Sequence, residues 1–228
     1  MGPRGGQGHG IGRAGLSLAV ALAALAALVA APAVARPDLR LTVLTAHEPT
    51  RAAWRALAQE LGRRTSVDVD DEVGALTGLG DPALLEGPLV VVVPSGAAAA
   101  PEELAALARF VAAGGAALVD APPGWGPADA TAIGDDDVVF KSFYLARPPR
   151  LWHGRRHGGR WAVVYTGGGL TRQLERDPFG LPPAAQPGGD QTREGAVRLA
   201  VNWVLYALCL DYKDDQVHLP FILRRRQG

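Results

Sequence analysis

The chain has 228 residues and balances 23 Lys+Arg against 23 Asp+Glu, so it carries no cationic excess for bulk nucleic-acid binding. Its single cysteine, Cys209, excludes an intrachain disulfide and a cysteine-based zinc framework. With 48% hydrophobic residues, stability must come from packing alone.

The first 35 residues carry Arg4 and Arg13 and no acidic residue. Leu16–Ala31 (LSLAVALAALAALVAA) is apolar apart from Ser17, and Pro32 then precedes Ala33-Val34-Ala35. A basic start, an apolar run and an A-x-A site predict a signal peptide over residues 1–35, with Arg36 as the mature start. The alternative is an uncleaved N-terminal membrane anchor, although the run falls short of the roughly 20 apolar residues a span needs. Either way the chain is expected to be exported, as a periplasmic, secreted or N-terminally anchored protein. Residues 36–228 are expected to form one domain.

Leu39–Thr45 reads as a strand rich in Leu, Val and Thr. Pro49 opens a predicted helix whose Ala53, Trp54, Leu57, Ala58 and Leu61 share one face. Ser66–Val69 suggests a short second strand, and Pro82–Leu85 one helical turn inside a loop. Leu89–Val93 (LVVVV) has no polar face, which predicts a central parallel strand buried on both sides. Pro101-Glu102-Glu103 starts a helix with acids in its first turn, Gly114-Gly115 stops it, and Ala116–Asp120 is the next buried strand. Leu89–Asp120 is thus a βαβ unit. Residues 121–137 read as irregular, and VVFKSFYL is ambiguous between strand and turn. A hairpin is predicted with arms Leu151–His153 and Trp161–Thr166 around a turn at Gly154–Gly159. Residues 170–192 read as loop. Arg193–Leu210 is a helix apolar almost all round, hence buried. A polar break at Asp211–Asp215 and a tail packing back (QVHLPFIL) are expected after it. Asn202 and Tyr206 lie four apart on that helix, and a buried Asn202 is expected to bridge to a loop.

The C-terminal passage RLAVNWVLYALCLDYKDDQVHLPFILRRR, the helix–GG–strand PEELAALARFVAAGGAALVD, FKSFYL and WAVVYT all occur in the chain. Together they resemble the bacterial domain-of-unknown-function family 4159, over nearly all of residues 39–226. The resemblance implies an α/β fold of the flavodoxin-like, class I glutamine amidotransferase-like kind. It implies a mostly parallel sheet with helices on both faces and a β-hairpin insertion. It also implies a cell-envelope setting, and no established activity. The chain departs from the family pattern at two turns: PSGAAAA follows the third strand, and Ala121 follows Asp120 where an acidic pair is usual.

An amidotransferase needs a cysteine nucleophile in a sharp turn after a central strand. That turn offers Ser95, and Cys209 falls in the apolar helix, where a thiol is an inert small hydrophobe. Ser95 lacks a G-x-S-x-G elbow, so it reads as a turn serine; His47, His153, His157 or His218 would be its base otherwise. His47-Glu48 follows the first strand and offers a ligand or metal contact with Asp120, against the plainer reading of a polar loop. His153 and His157 flank Arg155-Arg156 in a segment too Gly-rich for a helical metal pair. Gly167-Gly168-Gly169 has the flexibility of a phosphate cradle without the P-loop Lys-Ser/Thr. Asp214, Asp215 and His218 offer hard-cation ligands, against the preferred reading as turn caps paired with arginines. Arg224–Arg226 is a solvated terminus or a weak headgroup contact.

The expectation is a non-catalytic binding or interaction module of the envelope, with a protein partner, no nucleic acid and no cofactor or resident metal. His47, Glu48, Ser95, Asp120, Gly168, Asp214 and His218 are its candidate ligand-binding residues. The alternative is a hydrolase using Ser95 or a metal near His47 and Asp120.

Overall fold

The computed structural model describes Gly2 and residues 39–70, 72–177 and 189–225, with side chains described as far as Cys209. The predicted leader and its cleavage site lie outside the described residues. The fold belongs to the unit Asp38–Gly228.

Among the described residues seven strands form one sheet: β1 (Leu41–Leu44), β2 (Gly74–Ala75), β3 (Leu89–Val92), β4 (Ala116–Val119), β5 (Thr131–Ala132), β6 (His153–His157) and β7 (Arg160–Tyr165). Their order is β2-β1-β3-β4-β7-β6-β5. Pairing is parallel from β2 through β7 and antiparallel for β5, β6 and β7. The order 2-1-3-4 is flavodoxin-like, with the direction of winding reversing between β1 and β3.

Helices cover both faces. Leu41, Val43, Leu89, Val91 and Leu118 pack with Trp54, Leu57 and Leu61 of α1 (Glu48–Arg64) and with Val197, Val201 and Val204 of the C-terminal helix. The intervening residues Val90, Val92, Ala117 and Val119 face Leu107, Phe110 and Val111 of α2 (Pro101–Ala112). This period-2 division is why LVVVV has no polar position: both faces are core. A 3-10 turn, Pro82–Glu86, is capped by the Asp81 carboxylate on the Ala83 N–H. The segment Ser66–Val69 supplies only an isolated bridge, Val69 with Leu39, and β2 comes later in the chain.

The hairpin differs from the expectation. Gly154 belongs to β6, and the turn is Gly158-Gly159, both with positive φ (56° and 81°), as a two-residue hairpin requires. Gly154 is a glycine because the Trp161 ring lies over it; a Cβ there would come within 2.7 Å of that ring. Arg155, Arg156 and His157 are therefore strand residues. Residues 170–177, expected as loop, contain a short helix, α3 (Leu170–Leu174). VVFKSFYL begins with a 3-10 turn, Val138–Phe140. The last helix, α4, runs from Gly189 to Arg225 with no break at Asp211–Asp215. That polar run holds neither glycine nor proline, so nothing in it interrupts the helical ladder. Leu208 is partly buried against the core, and Cys209, expected to be buried, is exposed.

The Asn202 carboxamide uses its full capacity on the loop beside α4. Its oxygen accepts from the Phe143 and Tyr144 amides at 3.0 and 2.7 Å. Its nitrogen donates to the Phe140 and Tyr144 carbonyls, each at 2.8 Å. One turn on, the Tyr206 hydroxyl accepts from the Trp161 amide at 2.9 Å. Among the described residues, no helix is long and apolar enough to cross a membrane.

Candidate functional site

Open α/β sheets bind ligands at the carboxyl ends of their parallel strands. Four candidates stand at that edge: His47 beyond β1, Ser95 beyond β3, Asp120 immediately after β4 and Gly168 beyond β7. The topology brings them to one rim, but their side chains do not form one cluster.

Asp120 is buried. Its carboxylate accepts from the Thr166 hydroxyl, from the Leu170 amide at 3.2 Å and from the Thr171 amide at 2.6 Å. The amides at the start of α3 thus face a carboxylate supplied by the protein itself. Gly167, Gly168 and Gly169 all have positive φ (74°, 83° and 95°), which turns the chain from β7 into α3. The Gly168 amide donates to Thr166 Oγ1 at 3.2 Å, and a Cβ on it would meet the Ala121 carbonyl at 3.3 Å. The triple glycine therefore serves a turn around Asp120, and the amides that come after it are already engaged.

His47 precedes α1 and is largely exposed. Its Nδ1 lies 3.2 Å from Thr50 Oγ1, and that hydroxyl donates to Glu175 Oε1 at 2.9 Å. His47 Nδ1 and Glu175 Oε1 are 3.6 Å apart. Neither Thr50 nor Glu175 stands in a motif; they lie 125 positions apart in the chain and only the fold brings them together. Glu48 is turned away and pairs with Arg51 at 2.5 Å. Arg51 also reaches the Thr45 carbonyl at 3.3 Å, while its buried Nε has no partner among the described residues.

Ser95 is exposed and makes no hydrogen bond among the described residues. Asp214 and His218 fall within the range of α4, but their side chains lie outside the described residues. Among the described residues no group of three or more His, Cys, Asp or Glu is placed to hold a metal ion.

Beside this rim, the segment 121–130 and the ends of β6 and β7 enclose a cleft of about 360 Å³. Its lining includes Pro122, Pro127, Leu151, His153 and Tyr165. Burial pushes the Tyr165 phenol up to about 12. Tyr165 carries no motif; the signal available in the sequence was only its place in the predicted arm Trp161–Thr166.

No curated protein matches the chain. The profile of a family described as "Domain of unknown function (DUF4159)" matches residues 43–208. This span runs from β1 into α4 and includes Asp120, the glycine turn and Asn202, so the chain belongs to the DUF4159 family.

Proposed function

We propose that this protein is a non-catalytic binding or interaction module of the bacterial cell envelope. In this reading it descends from an amidotransferase-like scaffold and is carried across the inner membrane by its first 35 residues. The observation that carries it is the use of Asp120. A carboxylate at the end of a central strand is where such a scaffold would place reacting chemistry, and here all its contacts tie down α3 and the turn before it. Ser95, the residue in the nucleophile's position, is exposed and has no base within hydrogen-bond reach among the described residues. The partner is read as another envelope protein, and the balanced charge supports no nucleic-acid role.

The test has two arms on the full chain expressed in a bacterial host. N-terminal sequencing of the protein recovered from the periplasm or medium is expected to begin at Arg36; recovery only from cytoplasm overturns the export reading. Purified protein is then assayed on a panel of ester and amide substrates. No turnover is expected, and hydrolysis that disappears in Ser95→Ala overturns the non-catalytic reading.

A further inference from the structure

We propose that the cleft between the segment 121–130 and the ends of β6 and β7 binds a small uncharged ring-bearing molecule, with the Tyr165 hydroxyl and the His153 imidazole as its polar contacts. The inference rests on the reading of the unit as a binding module and names a site and a ligand class for it.

His153 and Tyr165 are directly opposite each other in the antiparallel ladder, so their side chains share one face of the sheet. Both line the cleft, and neither side chain has a hydrogen-bond partner among the described residues. For Tyr165 this leaves the hydroxyl available to a ligand or to solvent. The residue as a whole is only 8% exposed, so its ring is held in place while its hydroxyl stays accessible. Tyr206, on the other face, has a partner in the Trp161 amide. The Tyr165 hydroxyl is not among the buried atoms without a partner, and the residue lines both this cleft and a smaller one beside Arg155 and Arg156. Gly126 leaves room for the ring, since a Cβ there would stand 2.8 Å from it.

The walls decide the ligand class. Pro122, Pro123, Pro127 and Leu151 are apolar, and prolines bring no N–H. No Asp, Glu, Lys or Arg lines the cleft. The nearby charges, Arg155 and Asp129, pair with each other at 3.3 Å. A charged ligand would lose its hydration and meet no counter-charge, which is costly. A polyhydroxylated one would find only two polar side chains in the lining and would depend otherwise on backbone groups. A flat apolar ring between proline and aromatic faces, with one hydrogen-bonding group toward Tyr165 and His153, matches both the lining and the volume.

The test titrates the full chain with phenol, indole, benzoate and glucose, following backbone amide resonances by heteronuclear NMR. Phenol or indole is expected to shift the amides of Gly126, Leu151 and Gly167. Tyr165→Phe and His153→Ala should each weaken that binding by about threefold to tenfold while spectral dispersion stays native. Three results overturn the proposal: neither phenol nor indole shifts these amides; benzoate or glucose binds there at least as tightly; or both variants bind like the parent. Ser95-dependent hydrolysis would sink the non-catalytic reading without touching these titrations. Failed titrations would sink the cleft alone.

Discussion

Asn202 and Tyr144 exchange two hydrogen bonds: the Tyr144 amide donates to Asn202 Oδ1 at 2.7 Å, and Asn202 Nδ2 donates to the Tyr144 carbonyl at 2.8 Å. With the contacts to Phe140 and Phe143, this side chain stands in for a strand partner to a loop that has none. Leucine at this position would fill similar space and leave the two amides and the Tyr144 carbonyl unpaired, while the Phe140 carbonyl keeps the Ala146 amide at 3.1 Å. Asn202→Leu is expected to cost about 3 kcal/mol in urea unfolding. Asn202→Asp should cost more, because it removes both donors and turns a carboxylate oxygen toward two carbonyls. Equal stability of the parent and Asn202→Leu would refute the assignment.

Asp120 is expected to behave as a helix cap. Asp120→Ala strips the Leu170 and Thr171 amides of their acceptor and should cost about 2 kcal/mol, with Asp120→Asn intermediate. Because α3 also holds the Trp54 indole through Thr171 Oγ1 at 3.2 Å, its loosening should register as a change in Trp54 emission. Added formate should raise the melting temperature of Asp120→Ala and leave the parent unchanged. A variant as stable as the parent would contradict the capping role.

The pair between α1 and α4 makes stability depend on acid. Hydrogen bonding by Arg64 holds the Glu194 carboxyl at about 2, against an ordinary value of 4.5, with burial opposing and Arg198 assisting. A carboxyl held low in the folded state contributes stability that is complete above its ordinary value and is lost as pH falls toward about 2. Glu194 is 36% exposed, so solvent screening limits the effect to roughly 1 kcal/mol or less. Urea midpoints measured at pH 6, 4 and 3 should fall less steeply in Glu194→Gln than in the parent; identical slopes would show that the pair does not couple to folding.

Gly114 and Gly115 do different work. Gly114 ends α2 with φ near 98°, and Gly114→Ala should cost about 1 kcal/mol in backbone strain. Gly115 has no such φ, but a Cβ on it would lie 2.3 Å from the buried Phe110 ring. Gly115→Ala is therefore expected to be the more harmful, by about 2 kcal/mol or more, since Phe110 is enclosed by the core. Thermal melts of the two variants give the ranking directly.

The parallel layer was readable because its signals are local. Leu89–Val92 announces a strand buried on both faces, and Pro101–Val119 announces helix, stop and strand. The bridging role of Asn202 was readable too, since a lone amide in an apolar helix has few alternatives. What escaped depended on neighbours distant in sequence. Gly154 looks like a turn glycine until Trp161 is seen to cover it. Leu170–Leu174 sits in a stretch of loop composition, and the reason it is helical lies fifty positions earlier, in Asp120. At the rim, His47 and Asp120 are marked in the sequence by their places after strands, whereas Thr50, Glu175 and Thr166 carry no motif. Tyr165 and His153 become a pair only through strand register.

Both borders of the sheet are two residues long, Gly74–Ala75 on one side and the exposed Thr131–Ala132 on the other. On the β5 side the register covers only His153 and Gly154, so residues 155–157 of β6 form the longer open margin, and the two exposed arginines there blunt it as a template for an incoming strand. Adding a further strand at this margin would require desolvating those guanidinium groups, so charge, not strand length alone, guards the sheet against edge-to-edge growth.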